Sequence, residues 1–530
     1  MSLSALFGRR APTPRKPVPF LAGHERLSRL AAVWRDGRCL VARGYERDQQ
    51  LREALAQLQA KKRVKGTIRI TAVALVEIDR AWGHGPGSAR QGGAGELSKV
   101  AARIFREAAL ARASDVIFEL SEDACRVYAI VNDAKLALGH PLMVDEGAAV
   151  MGYLFHSKDE GSSQTSYQRG EFQGFSIRSG GAVDLPQSVS GLRCQRGPHD
   201  SDGDHMFCRL FYRDQLSPET TLETLGFTAT EAATFAQVRT SLHGGIFLGG
   251  STGDGKSTTL AVNLALQMAE HGGELNLVTL EDPVEYRIPG AIQIAVPTSG
   301  SGEERSLHFR QALMHFCRVH PASGMVSEIR DQDAATQVLS FVDTGHQVWT
   351  TIHVDTANAI LFRLLDMGVE PSTLAKPGNI RLLMKQTLLP MLCRECALAS
   401  PAGAELPAWI TGAIESLETA RFRNRTGCAA CRRPDANEIA RQAWTGYTRQ
   451  QVVAETIEPD AGYLRFVLKR DPLGAWDWWI KEMGGTPISV TIWEMVSRGA
   501  VDPMDALSKG ARPADIARKP PLRVIEGRAP

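Results

Sequence analysis

The stretch GGIFLGGSTGDGKS, residues 244–257, decides the fold of this 530-residue chain. Its first part is a short apolar run typical of a buried strand, and its second part fits the pattern G-x-x-x-x-G-K-[ST]. Apolar residues four positions apart follow it and indicate a helix: Leu260, Leu264 and Met268. A glycine-rich loop between a strand and a helix is the setting in which this pattern cradles nucleotide phosphates, whereas a chance glycine turn needs neither neighbour.

The loop residues have separate tasks in phosphate binding. Glycines at 250, 253 and 255 permit backbone angles that turn successive N–H groups towards one anion. Lys256 adds a charge for the β- and γ-phosphates of ATP, and the Ser257 hydroxyl is a ligand for Mg²⁺. The sequence therefore predicts that ATP and Mg²⁺ bind at consecutive positions: Gly250, Ser251, Thr252, Gly253, Asp254, Gly255, Lys256, Ser257 and Thr258.

Two acidic groups follow later apolar runs and are candidates for catalysis. Glu281, Asp282 and Glu285 come after the run LNLVTL, and Glu328 comes after the weaker run GMVS. Carboxylates at the carboxyl ends of parallel strands lie where ligands bind in such sheets. Each group taken alone could equally be a solvated loop charge.

Strands and helices alternate from about residue 226, which indicates an α/β fold with a parallel sheet covered on both faces. A further strand in this region, QVWTTI, is bracketed by His346 and His353. Composition alone leaves both histidines open between a functional and a structural role.

The residues before and after this core predict other regions. Arg26–Lys62 shows apolar residues at helical spacing and predicts a short helical module. From Thr67 to about 225, strands on either side of the turn 121–123 mix with helices, which indicates an α+β domain. Residues 1–65 hold fifteen Lys and Arg against five Asp and Glu, a surplus that favours an anionic membrane surface or acidic partner but also fits a solvated tail. Beyond 440 the pattern is mostly helical.

Four of the nine cysteines form two C-x-x-C pairs, Cys393 with Cys396 and Cys428 with Cys431. In a reducing compartment this spacing favours a metal over disulfides, and four thiolates make a closed tetrahedral Zn²⁺ site. Such a site has no open position for water, so a structural zinc is expected. Unpaired thiols or a redox pair remain the alternatives.

The overall composition excludes several classes of protein. A net charge of +2, with 43% hydrophobic and 23% charged residues, is ordinary for a globular chain and excludes a largely disordered, collagen-like or disulfide-stapled one. No run reaches the roughly 18 apolar residues of a membrane-spanning helix, and the amino end does not read as a signal peptide, so we expect a cytoplasmic protein. Residues 226–400 show no basic strip, so no nucleic-acid partner is expected.

These blocks, in this order, resemble the type II secretion and type IV pilus ATPase family, a branch of the RecA-like hexameric motors. The segment TLEDPVEY (279–286) resembles the family's aspartate box, SEIRD (327–331) its Walker B segment and TGHQVWTTIH (344–353) its histidine box. RLLDMGV, the upstream ASDVIFE and LGF, and the two C-x-x-C pairs also have counterparts, so the resemblance covers about residues 110–460. Ser327 stands where the family usually has glycine.

The resemblance implies a role for each candidate residue. Glu328 would act on the attacking water, and Asp282 and Glu285 on the metal and its water network. The histidine box would sense the nucleotide and couple it to neighbouring subunits. Arg193 and Arg209 resemble the family arginines that reach the γ-phosphate from the amino-terminal domain.

The resemblance also implies an architecture: a RecA-like P-loop core with a preceding α+β (PAS-like) domain, a small tetracysteine zinc element and a helical carboxy-terminal region. The expected parts are 1–66, a basic docking region; 67–225, the α+β domain; 226–392, the ATPase core; 393–440, the zinc element; and 441–530, the helical region.

A member of this family would be a homo-hexamer that hydrolyses ATP to power type IV pilus assembly, conjugative thin pili included, or type II secretion. It would be peripheral at the inner membrane, against a platform protein of the complex. The cysteines and the extra amino-terminal region favour assembly over retraction. Two alternatives stay open: a DNA-translocating or conjugation-related motor, and a nucleotide-gated structural ring with little turnover, which Ser327 makes conceivable.

Overall fold

The computed structural model describes most of the chain. The described residues are 27, 31–42, 49–73, 94–158, 171–199, 203–213, 216–217, 219–296, 302–400, 419–433 and 436–511. Residues 1–26, the start of the basic docking region predicted above, lie outside them. Within the described part of the chain, no helix has the length and apolar character needed to cross a membrane.

The first described unit is a small sheet with one helix. Its elements are β1 (Ala31–Val33), β2 (Arg38–Ala42), α1 (Gln49–Ala60) and β3 (Arg69–Val73). The strand β2 pairs antiparallel with β1 and parallel with β3.

This unit corrects two expectations. The helical module predicted over Arg26–Lys62 is wrong for β1 and β2, because Gly37 at φ +85° closes a turn between them. The helical spacing is real only in α1, where Leu51, Leu55 and Leu58 are buried. Since β3 pairs with β2, residues 69–73 belong to this sheet, whereas the predicted boundary lies at 66.

The second unit is the expected α+β domain, with two helices on one face of an antiparallel sheet. Its elements are α2 (Ala94–Leu110), β4 (Asp115–Leu120), β5 (Cys125–Val131), β6 (Ala134–Ala137), α3 (Val144–His156), β7 (Gln173–Arg178), β8 (Val189–His199) and β9 (Gly203–Tyr212). The strand order is β6-β5-β4-β9-β8-β7. The predicted hairpin around residues 121–123 is confirmed as β4 and β5.

The third unit is a seven-stranded sheet. Its elements run as α4 (Leu222–Leu225), α5 (Ala229–Ser241), β10 (Gly244–Gly249), α6 (Lys256–Glu270), β11 (Leu277–Glu281), β12 (Ile292–Ala295), α7 (Gly302–Arg318), β13 (Ser323–Val326), α8 (Gln332–Asp343), β14 (Gln347–Ile352), α9 (Ala357–Asp366), α10 (Pro371–Leu374) and β15 (Ile380–Leu392). The remaining elements are α11 (Glu438–Trp444), β16 (Tyr447–Ile457), α12 (Ala461–Leu468), α13 (Pro472–Lys481), α14 (Ile488–Ser497) and α15 (Pro503–Ser508). The strand order is β12-β11-β13-β14-β10-β15-β16, parallel except for β16.

The predicted parallel sheet with two covered faces is confirmed. Phe247 of β10 lies on one face in a core with residues of α8 and α9. Its neighbours Ile246 and Leu248 lie on the other face with residues of α5 and α6. All six residues of β10 are buried, as the continuous apolar run predicts.

The carboxy-terminal region is not purely helical. Residues Tyr447–Ile457 form β16, which pairs antiparallel with β15 and so belongs to the ATPase sheet. A long-range pairing of this kind leaves no local signal in the helical pattern around it. The helices α12 to α15 follow as expected.

Helix α11 lies in the segment between β15 and β16, but it packs against the α+β domain. Its Ile439, Ala443 and Trp444 lie in the same buried core as Phe105 and Phe155 of the α+β domain. The Asn437 side chain before it donates a hydrogen bond of 2.6 Å to the backbone carbonyl of Glu107. The segment between β15 and β16 therefore joins the α+β domain to the seven-stranded sheet.

Candidate functional site

The phosphate loop between β10 and α6 has the backbone that its glycines predict. Gly250, Gly253 and Gly255 adopt φ values of +146°, +89° and +80°, a region that favours glycine. Helix α6 begins at Lys256, so its positive end faces the loop. The Lys256 ammonium donates hydrogen bonds of 2.7 and 2.8 Å to the carbonyl oxygens of Gly250 and Ser251, where phosphate oxygens can take their place.

Several carboxylates surround this ammonium. Burial lowers the pKa of Lys256, and the charges of Asp254, Glu328 and Glu285 act in the opposite direction. The charges of carboxylates predicted from two different strand ends therefore act on the lysine of the phosphate loop. This arrangement follows from the parallel sheet, whose carboxyl ends lie at one edge.

Asp254 fixes the shape of the loop from within. Its carboxylate accepts a 2.7 Å hydrogen bond from the backbone N–H of Ser251 and a 2.9 Å bond from the Thr387 hydroxyl of β15. The side-chain amide of Gln386 donates to the backbone carbonyl of Asp254 at 2.7 Å. The loop is thus tied to β15, the strand next to β10.

Asp282 connects the α+β domain to the ATPase sheet. It accepts a hydrogen bond of 3.0 Å from Arg193 of β8 and one of 3.3 Å from Arg330. The Asp282 side chain is 4% exposed, but Arg330 is 48% exposed and Arg193 24%, so the pair with Arg193 is the better shielded of the two. One carboxylate of the site therefore holds an arginine from each of two domains.

Glu328 is held by an arginine and a histidine. Arg330 Nε donates to Glu328 Oε2 at 2.9 Å, and His353 Nε2 lies 3.3 Å from Glu328 Oε1. The chain at Ser327, immediately before it, is fixed by a Thr351 hydroxyl that donates to the Ser327 carbonyl at 2.6 Å. His353 is therefore part of the site, as the predicted histidine box implies.

Glu281 does not join this cluster. Its carboxylate accepts hydrogen bonds of 2.6 Å from the Thr279 hydroxyl and 2.9 Å from the Gln293 amide, and burial raises its pKa. It holds the loop between β11 and β12 in place. That loop touches the phosphate loop through Tyr286, whose hydroxyl lies 2.7 Å from that of Thr258.

Two other predicted site residues lie elsewhere in this chain. His346 precedes β14, at the opposite end of that strand from His353, and its ring stacks on Phe341 with centroids 4.1 Å apart. Arg209 is paired with Asp115 at 3.0 Å within the α+β domain. In this chain the contacts given for these two residues are therefore away from the phosphate loop, and their roles at a nucleotide or a neighbouring subunit stay predictions.

The four cysteines of the two C-x-x-C pairs come together as predicted. Their sulfur atoms all lie within 4.8 Å of one another, with 3.7 Å between Cys393 and Cys428 and 3.8 Å between Cys396 and Cys431. A tetrahedral zinc with bonds of about 2.3 Å requires sulfurs about 3.8 Å apart, so the donor set fits this ion. Burial works against ionisation of Cys431, but N–H groups of Cys428 and Gly446 donate to its sulfur and lower its pKa to about 7.

Sequence reasoning missed three residues that shape the site: Arg330, Tyr286 and Thr387. The first two stand inside segments that the sequence singled out for their acids. The signal available in the sequence was that Arg330 and Tyr286 carry a basic and a hydroxyl group close to the catalytic candidates. Thr387 gave none, since its partner lies 133 positions away.

Comparisons with known proteins agree with this geometry. The family model for type II/IV secretion system proteins matches residues 90–458. The type II secretion system protein E of Aeromonas hydrophila is 31% identical over 265 residues, 48% of this chain and 49% of that protein. The type IV pilus assembly ATPase PilB of Myxococcus xanthus is 28% identical over 331 residues, 62% of this chain and 54% of that protein.

The chain thus spans about half the length of the curated relatives it matches. Among solved structures, that of the Legionella pneumophila ATPase DotB superposes with a TM-score of 0.51 at 17% identity, over 76% of this chain and 93% of DotB. A likeness at this identity supports the fold alone.

Proposed function

Because the chain belongs to the type II/IV secretion system protein family, we propose that it is a cytoplasmic, Mg²⁺-dependent ATPase that powers type IV pilus assembly or type II secretion. The observation that carries the proposal is the phosphate loop before α6, where the Lys256 ammonium donates to the carbonyl oxygens of Gly250 and Ser251 at 2.7 and 2.8 Å. A cation for the phosphates and a carboxylate for the attacking water are the two requirements of ATP hydrolysis by such a loop.

The chain's own groups would share the work of hydrolysis. Lys256 would exchange the carbonyl oxygens of its loop for oxygens of the β- and γ-phosphates. Glu328 would orient the attacking water and accept its proton, with His353 fixing the carboxylate from the neighbouring strand. Positioning and charge stabilisation suffice, so no covalent intermediate is needed.

Ser257, Asp282 and Glu285 are the groups that would hold Mg²⁺ and its waters. The ion would neutralise charge on the phosphates when bound. Hydroxyl and carboxylate oxygens are the ligands that Mg²⁺ prefers, and Asp282 and Glu285 follow directly after β11 at the edge where the loop lies.

Arg193 would bring the α+β domain to the nucleotide. Its pairing with Asp282 at 3.0 Å, from β8, supports this role. We describe that domain as PAS-like on the central pairing of its first and last strands, β4 and β9, and set it at about 94–213. The ATPase sheet then runs from about 222 to 457, interrupted by the zinc element.

The four cysteines would hold one Zn²⁺ in a closed, structural site. The ion would fix the segment between β15 and β16 that carries α11 into the α+β domain. It would therefore set the position of one domain against the other and take no part in hydrolysis.

We also propose that the chain acts as a homo-hexamer, peripheral at the inner membrane, against a platform protein of the pilus or secretion complex. The family relationship supports this. The basic surplus of residues 1–65 would contribute to docking through attraction to anionic lipid or an acidic partner.

A ring with little intrinsic turnover is a second candidate, favoured by one observation. Arg330 Nε lies 2.9 Å from Glu328 Oε2 and His353 Nε2 lies 3.3 Å from Glu328 Oε1, so both carboxylate oxygens already have partners and are less available to a water. The same structure would fit a ring whose turnover is slow until a partner draws Arg330 away from Glu328.

The test measures ATP binding and Mg²⁺-dependent phosphate release of the full chain. Lys256→Ala should lose both, because it removes the charge that faces the phosphates. Glu328→Gln should keep ATP affinity while turnover falls by roughly 100-fold or more, because an amide cannot accept the proton. Glu370→Gln, at an exposed position before α10, is the matched control and should match the wild type.

Measurable turnover that is equal in the wild type and in Glu328→Gln would contradict the role of Glu328. Tight ATP binding with no measurable turnover of the wild type would instead support the slow ring.

A further inference from the structure

The phosphate loop carries a buried negative charge, which is unusual for a segment that must accept a polyanion. Asp254 is 3% exposed and lies between Gly253 and Gly255 of the loop. Both of its carboxylate oxygens accept hydrogen bonds, from Ser251 and Thr387, so the side chain cannot turn away. Left without a counter-charge, it would repel the phosphates it sits beneath.

A lysine from the far end of the chain approaches this carboxylate. Lys509 directly follows α15, and its ammonium lies 4.0 Å from Asp254 Oδ1. Its side chain is only 22% exposed. Ala506 and Ala511, on either side of it, are buried in one hydrophobic cluster, so the backbone that presents Lys509 is anchored.

Lys509 also has a second partner in the α+β domain. Its ammonium lies 2.7 Å from Asp133 Oδ2, in the turn between β5 and β6. The Asp133 side chain is 76% exposed, so this second ion pair is weak in water. The electrostatic effect of Lys509 is therefore larger on the buried Asp254 than on the exposed Asp133.

Lys385 of β15 supports the same interpretation. It is 8% exposed, and among the residues that the structure describes its ammonium forms no hydrogen bond or ion pair. Burial lowers its pKa, and Asp254 is the first of the charges that act in the opposite direction. Two lysines therefore surround the one carboxylate of the phosphate loop.

We propose that Lys509 is a positioning residue of the nucleotide site, which neutralises Asp254 so that the phosphate loop can accept a nucleoside triphosphate. Lys509 lies beyond residues 90–458, which the family model matches, so this device belongs to the carboxy-terminal helices of the chain. The inference rests on the proposed binding of ATP at this loop, but not on its hydrolysis.

The experiment is a double-mutant cycle with the full chain, in which the affinity for ATPγS with Mg²⁺ is measured by calorimetry. Lys509→Met should weaken binding about tenfold, because the carboxylate loses the ion-pair partner that lies 4.0 Å from it. Asp254→Asn is the second arm of the cycle: it removes the charge, and its own effect on affinity through the loop is measured and subtracted. In the Asp254→Asn background, Lys509→Met should have an effect of about twofold or less, because no charge remains to be neutralised.

Three further variants separate this role from a structural one. Lys509→Arg keeps the charge and should restore affinity, even if the loss of the lysine also lowers thermal stability. Asp133→Asn should leave affinity near the wild type. Lys481→Met, which breaks an exposed pair with Asp477 in the same carboxy-terminal region, is the control and should have no effect. The Lys509→Met defect should shrink as salt rises.

An equal Lys509→Met defect in both backgrounds, or a defect that Asp133→Asn reproduces, would overturn the proposal and make Lys509 a clamp between domains. A wild type that binds ATPγS but never hydrolyses ATP would contradict the proposed function and leave this inference standing. A wild type that does not bind ATPγS would overturn both.

Discussion

The folding stability of this protein should depend on pH through one carboxyl group, Asp505 of α15. The Tyr447 hydroxyl donates a 2.6 Å hydrogen bond to Asp505, which joins α15 to the start of β16. Burial raises the pKa of Asp505 from 3.8 to about 6, and the charge of the adjacent Asp502 adds to this shift. The substitution Asp505→Asn removes this pH dependence, because asparagine keeps an oxygen that accepts from the Tyr447 hydroxyl but has no ionisable proton.

The direction of the pH effect follows from which state, folded or unfolded, holds the Asp505 proton. Between about pH 4 and pH 6 the folded protein keeps the Asp505 proton while the unfolded chain has released it. Because the unfolded state binds fewer protons, the wild type loses stability as the pH rises through this window. A difference of about 2 pKa units, at about 1.4 kcal/mol each, gives an upper value of about 3 kcal/mol.

The assay is guanidinium unfolding followed by tryptophan fluorescence at pH values from 4 to 8. The free energy of unfolding of Asp505→Asn minus that of the wild type should grow by about 3 kcal/mol or somewhat less, mostly below pH 6, and stay constant above it. Asp477→Asn, at a 61% exposed carboxylate, is the control. A difference that is flat from pH 4 to pH 7 would refute the reasoning, since Asp505 would then be ionised in the folded protein.

Three shorter predictions concern the zinc element and the histidines. The purified protein should carry about one zinc per chain and Cys431→Ser should lose it, which elemental analysis checks; unchanged zinc content would exclude this site. Trp444→Ala should lower the free energy of unfolding by roughly 3 kcal/mol and speed proteolysis between the domains, because the ring is only 8% exposed; unchanged proteolysis would contradict the joining role of α11. His353→Ala should reduce ATP turnover more than His346→Ala, since only the first contacts Glu328; equal effects would contradict this assignment.

The parts of the fold that could be predicted from the sequence are those with a strong local signal. Residues 244–257 carry a strand, a loop and a helix start within fourteen positions, and the structure has all three there. The C-x-x-C pairs fix two thiols each, so only the meeting of the pairs had to be supplied by the fold. The parallel order of the strands alone predicts that Glu328 lies at the same edge of the sheet as the phosphate loop.

Other features depend on contacts between distant residues. The apolar spacing in Arg26–Lys62 fits a helix, but a glycine turn and pairing with β3 make strands of Ala31–Val33 and Arg38–Ala42. The pairing of Lys509 with Asp254 joins positions 255 residues apart and leaves no pattern in the sequence. His346 shows that a motif can place two similar residues at opposite ends of a strand, where only one meets the site.

The packing of α11 into the α+β domain has a consequence for biosynthesis. The last strand of that domain ends at Tyr212, yet its core is completed by Ile439 and Trp444. At synthesis rates of about 5–20 residues per second, the missing helix is made roughly 10–50 s after the rest of the domain. During this interval the nascent domain carries an open apolar groove, a natural substrate for chaperones. Translation pauses before Trp444 should therefore lower the yield of folded protein more than pauses after it.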